Sequence, residues 1–200
     1  MPAPRARRSR DELRQETLDA ARKIILAEGP EALTARRLAK AVGYTPGTIY
    51  NLFDSLSDVL WQVNRAHLAR IAELFSNLPG ETPQERLFAL SRRYLDLVET
   101  EPTLFRALFD GQRKSDVFPD WYMQAIEGLL DLTANELLLI APKMTAVSAR
   151  REAATMFAAI QGVAELRAGG RLDLLTEAPA IELADRLMTR LLRDIAHQQA

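Results

Sequence analysis

The sequence predicts an all-α protein in which an N-terminal, three-helix helix-turn-helix head is joined to a C-terminal helical bundle. Apolar residues recur every three or four positions instead of alternating, which is the period of a helix that faces a core. Leu and Ala are abundant, runs of β-branched residues are scarce, and Gly or Pro interrupts the pattern at intervals. With 48% hydrophobic and 26% charged residues, the chain has the composition of a folded globular protein.

The first 53 residues accommodate three short helices, which we expect at 11–28, 34–41 and 45–52. Thr34 and Thr45 stand at N-cap positions, and Pro46 occupies a first helical position. Gly43 lies in the short connection between the second and third helices, where a helix-turn-helix needs a residue that tolerates a positive φ. The core that we predict for this head consists of Leu18, Ala21, Ile25, Leu38, Ala39, Val42, Ile49 and Phe53.

The rest of the chain predicts six further helices, each bounded by Pro, Gly or a capping residue. One of them starts with Thr82-Pro83-Gln84-Glu85, which combines a capping box with Pro at the first helical position. The expected helices cover 57–77, 82–100, 102–111, 119–140, 145 or 148 to 169, and a last stretch that follows Thr176, has Pro179 in its first turn and continues almost to the C-terminus.

Composition removes several functional classes. The chain has no Cys, which excludes disulfides, thiolate catalysis and Cys-ligated metal. His67 and His197 are far apart, so imidazole catalysis or a His metal site is not expected. We therefore expect no enzymatic activity, no cofactor and no metal. Since no apolar run reaches 18 residues and no apolar segment follows the Arg-rich start, we also expect a cytoplasmic protein with no membrane partner.

Charge is distributed unevenly along the chain. The net charge of −1 taken alone argues against nucleic-acid binding, yet residues 1–53 hold ten Lys and Arg against six Asp and Glu, and residues 54–200 hold sixteen against twenty-one. This basic start favours contact with nucleic acid. We expect residues 1–10 to form a flexible basic arm that lies along phosphates or in a minor groove, or else a solvated tail.

The segment Leu33–Phe53, LTARRLAKAVGYTPGTIYNLF, resembles the DNA-binding signature of tetracycline-repressor (TetR) family transcription regulators. The preceding helix, with its stop at Gly29, is also similar to that family's first helix, and the resemblance covers residues 11–62. It implies a DNA-binding domain over 11–56 and a ligand-sensing and dimerisation domain over 57–200. Leu52 stands where the family usually has Tyr or His, and Leu56 where a Lys often begins the fourth helix; both replaced positions commonly help to hold phosphates.

The residue types in this segment suit DNA. The ends capped by Thr34 and Thr45 present N–H groups that can seat phosphates, and Thr48 is short enough to reach a base edge. Tyr50 suits a phosphate, whereas Asn51 suits an adenine or a phosphate. The predicted contacts to double-stranded DNA are Thr34, Arg36, Lys40, Tyr44, Thr45, Pro46, Gly47, Thr48, Tyr50 and Asn51.

A helical bundle of this kind commonly encloses an apolar ligand cavity, so we expect a small, mostly apolar effector. The candidate lining residues are aromatic or apolar, and the alternative is that they only form the core. They are Phe88, Tyr94, Phe105, Phe109, Trp121, Tyr122, Met156, Phe157 and Ile160.

Two helices favour a homodimer. Residues 153–166 are apolar nearly all round, which predicts burial on two sides, and the last helix carries an apolar stripe. The predicted interface contains Ala154, Ala158, Gly162, Ile181, Ala184, Met188, Leu191 and Ile195. Burial of both helices within one chain is the alternative.

Together these features indicate a homodimeric transcription regulator, with repressor as the preferred interpretation. It is expected to bind a two-fold symmetric operator and to be released by a small effector. Two other interpretations stay open: an enzyme that uses the bundle cavity, and a helical adaptor that kept the helix-turn-helix shape without binding DNA.

Overall fold

A computed structural model describes residues 8–109 and 118–197 of the chain. Across these ranges the secondary structure is helical, which confirms the predicted all-α fold class. The helices are α1 Arg10–Glu28, α2 Ala35–Val42, α3 Pro46–Leu52, α4 Leu56–Ser76, α5 Pro83–Thr100, α6 Pro102–Phe109, α7 Asp120–Ile140, α8 Ala146–Ala168 and α9 Ala180–His197, with short 3-10 turns at Pro30–Ala32 and Leu172–Leu174.

The helix ends follow the local signals in the sequence. Thr34, Thr82 and Thr145 cap α2, α5 and α8 with their side chains, as the sequence predicts for residues of this type at these positions. A capping box that was not predicted opens α1, where Ser9 Oγ accepts from the Glu12 N–H at 3.1 Å and the Ser9 N–H donates to Glu12 Oε2 at 2.7 Å. The predicted end of α6 at Gly111 lies outside the described residues.

The chain divides into two compact units. The first holds α1, α2, α3, the part of α4 up to His67, and α6 from Thr103; the second holds the rest of α4, together with α5, α7, α8 and α9. The units are defined by the packing of the helices. They therefore differ from the two functional domains, 11–56 and 57–200, that the family resemblance implies.

The first unit is organised around a small apolar core. Ile25, Leu38 and Ile49 are each at most 1% exposed and bring α1, α2 and α3 together. Of the predicted core, Leu18 is only partly buried and the other seven residues are buried. Leu104 and Ala107 of α6 complete the same core, which makes α6 part of this unit.

In the second unit, α5, α7, α8 and α9 pack around buried residues such as Leu87, Leu137 and Met156. Bidentate contacts at 2.8 Å join Arg86 of α5 to Glu136 of α7. A comparable pair joins Arg92 of α5 to Asp185 of α9. Within the described ranges, no helix is both long enough and apolar enough to cross a membrane.

Candidate nucleic-acid interface and ligand cavity

The connection between α2 and α3 has the geometry of a helix-turn-helix. Gly43 ends α2 with φ 79° and ψ 32°, the left-handed conformation that glycine adopts without a Cβ penalty. The Tyr44 N–H donates to the carbonyl of Ala39 at 2.9 Å, which closes the last turn of α2. Pro46 then starts α3 immediately after the turn.

The predicted DNA-contacting residues are accessible to solvent, and they lie at the ends and on the outer faces of α2 and α3. Nine of the ten are exposed, including Tyr44 at 41% and Tyr50 at 55%, and Thr48 is half-buried. Ile49 and Leu52, which alternate with them on α3, are buried in the core of the first unit. The packing of α3 therefore leaves one face available.

The two predicted phosphate-binding helix ends differ in detail. Thr34 Oγ1 accepts from the Arg37 N–H at 3.3 Å and so caps α2. Thr45 makes no such side-chain cap to α3; its hydroxyl lies 3.2 Å from the hydroxyl of Thr48. The hydroxyls of Thr45 and Thr48 are therefore hydrogen-bonded to each other, and either can be the donor.

Two arginines of α1 contact the C-terminal end of α3, which was not predicted from the sequence. Arg14 Nη1 donates to the carbonyl of Leu52, and its guanidinium carbon lies 4.4 Å from the centroid of the Phe53 ring. Arg10 Nη2 donates to the carbonyl of Asn51 at 3.2 Å. Cations at the C-terminal carbonyls of a helix also favour its dipole. The signal was the spacing of Arg10 and Arg14, one helical turn apart before an apolar pattern.

The basic arm is only partly described. Residues 1–7, with Arg5 and Arg7, lie outside the described residues. Arg8 is tied to its own unit, because its Nη1 donates to the carbonyl of Val42 at 3.2 Å and lies 2.6 Å from Glu16 Oε2. Part of the positive charge predicted for the arm thus supports the fold of the head.

One further arginine of the head is paired. Arg37 makes a bidentate contact with Glu28, and the hydrogen bonds from the guanidinium lower the pKa of that carboxyl and raise the pKa of Arg37. Arg36 and Lys40 of α2 are exposed. These two cations are suited to backbone phosphates, which supply affinity without sequence preference.

The second unit contains an apolar cavity of about 70 Å³ between α4, α5, α7, α8 and α9. Four of the predicted ligand residues line it, namely Tyr94, Met156, Phe157 and Ile160. The remaining lining residues were not predicted for this role: Phe75, Leu87, Leu90, Ser91, Ile126, Leu129, Leu130, Thr133 and Met188.

The other predicted ligand residues lie elsewhere. Phe105 is buried in the first unit, and the side chain of Phe109 lies outside the described residues. Trp121 packs edge to face against Tyr122 at 6.0 Å, and neither residue lines the cavity. Phe88 is half-buried beneath the Arg92 guanidinium, 5.9 Å from its ring centroid.

The predicted dimer residues fall into two sets. Ala154, Ala158 and Gly162 form an exposed face of small residues on α8, and a Cβ at Gly162 would meet nothing within 4 Å. On α9, Ile181 is 41% exposed and Leu191 is half-buried. Ala184, Met188 and Ile195 are instead buried within the chain, each at most 3% exposed.

Comparisons with known proteins agree with this architecture. Residues 18–60 match the family model of bacterial regulatory proteins of the tetR family. No curated protein matches the chain.

Three solved structures illustrate the likeness over almost the whole chain. A protein of unknown function from Rhodococcus sp. RHA1 has a TM-score of 0.79 at 22% identity and covers 98% of this chain and 100% of its own. A TetR-like transcriptional regulator from the same organism has a TM-score of 0.68 at 21% identity, covering 95% and 99%. The transcriptional regulator FadR from Bacillus subtilis, in complex with stearoyl-CoA, has a TM-score of 0.68 at 17% identity, covering 89% and 97%. At these identities the likeness shows a shared fold.

Proposed function

We propose, from the premise that this chain is a transcriptional regulator of the tetR family with a helix-turn-helix DNA-binding domain, that it is a homodimeric repressor released by a small effector. The observation that carries the proposal is the exposed face of α2 and α3, on which the predicted DNA-contacting residues lie together while Ile49 and Leu52 anchor α3 from behind. The proposal assigns no catalytic step to this chain.

In this proposal each recognition helix α3 enters a major groove of a two-fold symmetric operator. Half-sites would lie about 34–36 Å apart, or a multiple of that distance. Arg36 and Lys40 neutralise phosphates, Thr48 contacts a base edge, and Tyr50 donates to a phosphate. A regulator of this kind acts on the chromosome and therefore in the cytoplasm.

Dimerisation would use the exposed small residues of α8 together with Ile181 and Leu191 of α9. Small side chains such as Ala158 and Gly162 let two helices approach closely, and the apolar edge of α9 would be removed from water. A dimer also doubles the number of phosphate contacts, which matters because the charge excess of the head is modest.

The effector would occupy the cavity of the second unit. The structurally similar regulator FadR from Bacillus subtilis holds stearoyl-CoA in its solved structure, which supports a ligand-responsive role for a chain of the same fold. Such a ligand releases DNA only to the extent that it binds the DNA-free conformation more tightly than the DNA-bound one.

The test is selection of genomic fragments by the purified full-length protein, followed by affinity measurements on the selected site. We expect Thr48→Ala to change the preference at one base position by about 1–3 kcal/mol. Tyr50→Phe should weaken binding to all sequences alike. Absent or salt-independent binding to every fragment would overturn the proposal in favour of a helical adaptor, and an equal effect of Thr48→Ala on all sites would remove its base-contacting role.

A further inference from the structure

Ser91 of α5 carries a buried hydroxyl that makes no hydrogen bond within the described part of the chain. The residue is 4% exposed and lines the cavity, and its hydroxyl oxygen has no hydrogen-bond partner among the residues that the structure describes. A serine in a helix commonly donates to the carbonyl four residues earlier. Ser91 does not, so a residue of the cavity wall carries a buried hydroxyl that is unused within the described part of the chain.

The other polar side chains of the wall are already engaged. The Tyr94 hydroxyl donates to Gln161 Oε1, and Gln161 Nε2 donates to Glu165 Oε1 at 3.1 Å. Burial, followed by the negative charge of Glu165, raises the pKa of Tyr94 well above its ordinary value. Thr133 Oγ1 is directed at the carbonyl of Leu129 at 3.4 Å. The phenol end of the cavity is therefore linked through Gln161 to the carboxylate of Glu165.

No positively charged residue lines the cavity. Every lining residue is uncharged. The three arginines of α5 are directed elsewhere: Arg86 pairs with Glu136, Arg92 pairs with Asp185, and Arg93 Nη1 donates to the carbonyl of Asn77 at 2.8 Å. An anionic group placed in this cavity would lose its hydration without gaining a cation.

The available space favours a small occupant. A cavity needs about 10–15 Å³ to hold one water molecule, so a volume of about 70 Å³ corresponds to roughly five or six non-hydrogen atoms. Met156 and Met188 are unbranched side chains of the wall and can adjust to a somewhat larger molecule.

We propose that the cavity binds a small, neutral, mostly apolar molecule carrying one hydrogen-bond-accepting oxygen, as in an alcohol, ketone or ester, and that Ser91 Oγ–H donates to this oxygen. The inference rests on the proposed ligand-responsive function and narrows it, because it excludes a carboxylate as the group bound at Ser91. Hydrogen bonding at a single donor also sets the orientation of the ligand within an otherwise apolar wall.

The experiment measures binding directly, with the full-length protein and without DNA. Methyl isopropyl ketone, 2,3-dimethylbutane and isobutyrate at pH 7 serve as probes of nearly equal shape, because each has the same number of non-hydrogen atoms, and affinities come from ligand-observed NMR titration. We expect methyl isopropyl ketone to bind at least tenfold more tightly than isobutyrate. Ser91→Ala should reduce the affinity for methyl isopropyl ketone about five- to tenfold and leave that for 2,3-dimethylbutane unchanged.

Two controls separate this role from a structural one. Ser91→Ala removes an unpaired buried hydroxyl, so its melting temperature should equal or exceed that of the parent chain. Ser76→Ala, on the exposed end of α4, should leave all three affinities unchanged. The inference is overturned if the carboxylate binds as tightly as the ketone, if Ser91→Ala retains full affinity for the ketone, or if no probe binds.

The same titration repeated with operator DNA distinguishes the two proposals. Ketone binding that depends on Ser91 but does not change DNA affinity supports the inference about the cavity and contradicts effector release. If the protein binds the ketone but binds no DNA fragment either with or without the ketone, the proposed regulatory function is contradicted and the inference about the cavity stands.

Discussion

Replacing Arg14 by Met tests whether α1 holds the recognition helix through a charged side chain. Arg14 donates to the carbonyl of Leu52 at the end of α3, and its guanidinium lies over the ring of Phe53. Met keeps the unbranched apolar stem that packs between the helices, while it removes the donor and the charge. The substitution therefore isolates the polar part of the contact.

The expected loss follows from two contributions. A hydrogen bond from a charged group stabilises a protein by about 1.5–3 kcal/mol, and a cation over an aromatic ring at an accessible site by about 0.5–1 kcal/mol. Arg14 is half-buried, so solvent reduces both contributions. We expect a net loss of about 2 kcal/mol, which is roughly a 30-fold change in the unfolding equilibrium constant.

Urea denaturation of the full-length protein, followed by far-UV circular dichroism, measures this loss. Lys23→Met is the matched control, because Lys23 lies on the same helix and is exposed. This substitution removes the same charge as Arg14→Met. It should change the free energy of unfolding by less than about 0.5 kcal/mol. DNA affinity should fall for Arg14→Met on every sequence, since α3 as a whole loses its support.

Equal stability of Arg14→Met and Lys23→Met would refute this reasoning. It would mean that the packing of Ile49 and Leu52 alone positions α3, and that the contact between Arg14 and Leu52 contributes nothing measurable. A loss confined to DNA affinity, with unchanged stability, would place Arg14 at the DNA instead of behind the recognition helix.

Three further predictions follow from local geometry. Gly47→Ala should leave the melting temperature unchanged, since its Cβ would meet only Thr45 Oγ1 at 3.8 Å, yet lower DNA affinity about tenfold in a fluorescence anisotropy titration; unchanged affinity would place Gly47 away from the groove. Hydrogen bonds from the Thr82 and Glu81 N–H groups lower the pKa of Glu85 from 4.5, so its stabilising effect is complete above pH 4.5 and disappears as the pH falls through the lowered pKa. The difference between the urea midpoints of the parent and Glu85→Gln should therefore be largest at pH 7 and shrink as the pH is lowered below 4.5, and a difference that does not change with pH would contradict this. Ala158→Glu should give a monomeric mass by sedimentation at micromolar concentration with unchanged helicity, whereas a dimeric mass would exclude this face of α8 from the interface.

The helix-turn-helix was predictable because its signals are local. Thr34 caps α2, Gly43 supplies the left-handed turn, and Pro46 opens α3, so each boundary depends on a residue at or beside it. The same holds for the ends of α5 and α8. The short 3-10 turn Leu172–Leu174 was missed, because three residues are too few to show a helical period of apolar residues.

The cavity was only partly predictable. Tyr94, Met156, Phe157 and Ile160 were expected to line it and do, whereas the role proposed for Ser91 depends on a buried hydroxyl that has no hydrogen-bond partner in the described part of the chain. A serine between apolar residues on a helix has the same sequence pattern whether its hydroxyl is exposed or buried. Phe105 was assigned to the same cavity because aromatic residues at helical spacing do not show which unit they join.

The sequence by itself determined the all-α class, the helix limits and the family signature of the first unit, since capping, glycine geometry and helical periodicity act over a few residues. Only the tertiary structure decided which surface each apolar stripe meets. Ala184, Met188 and Ile195 of α9 satisfy the periodicity of a dimer interface and of an internal core equally well, and they are buried within the chain, with Met188 at the cavity. Periodicity identifies the face of a helix that avoids water, but the element that covers that face is chosen by residues distant in sequence.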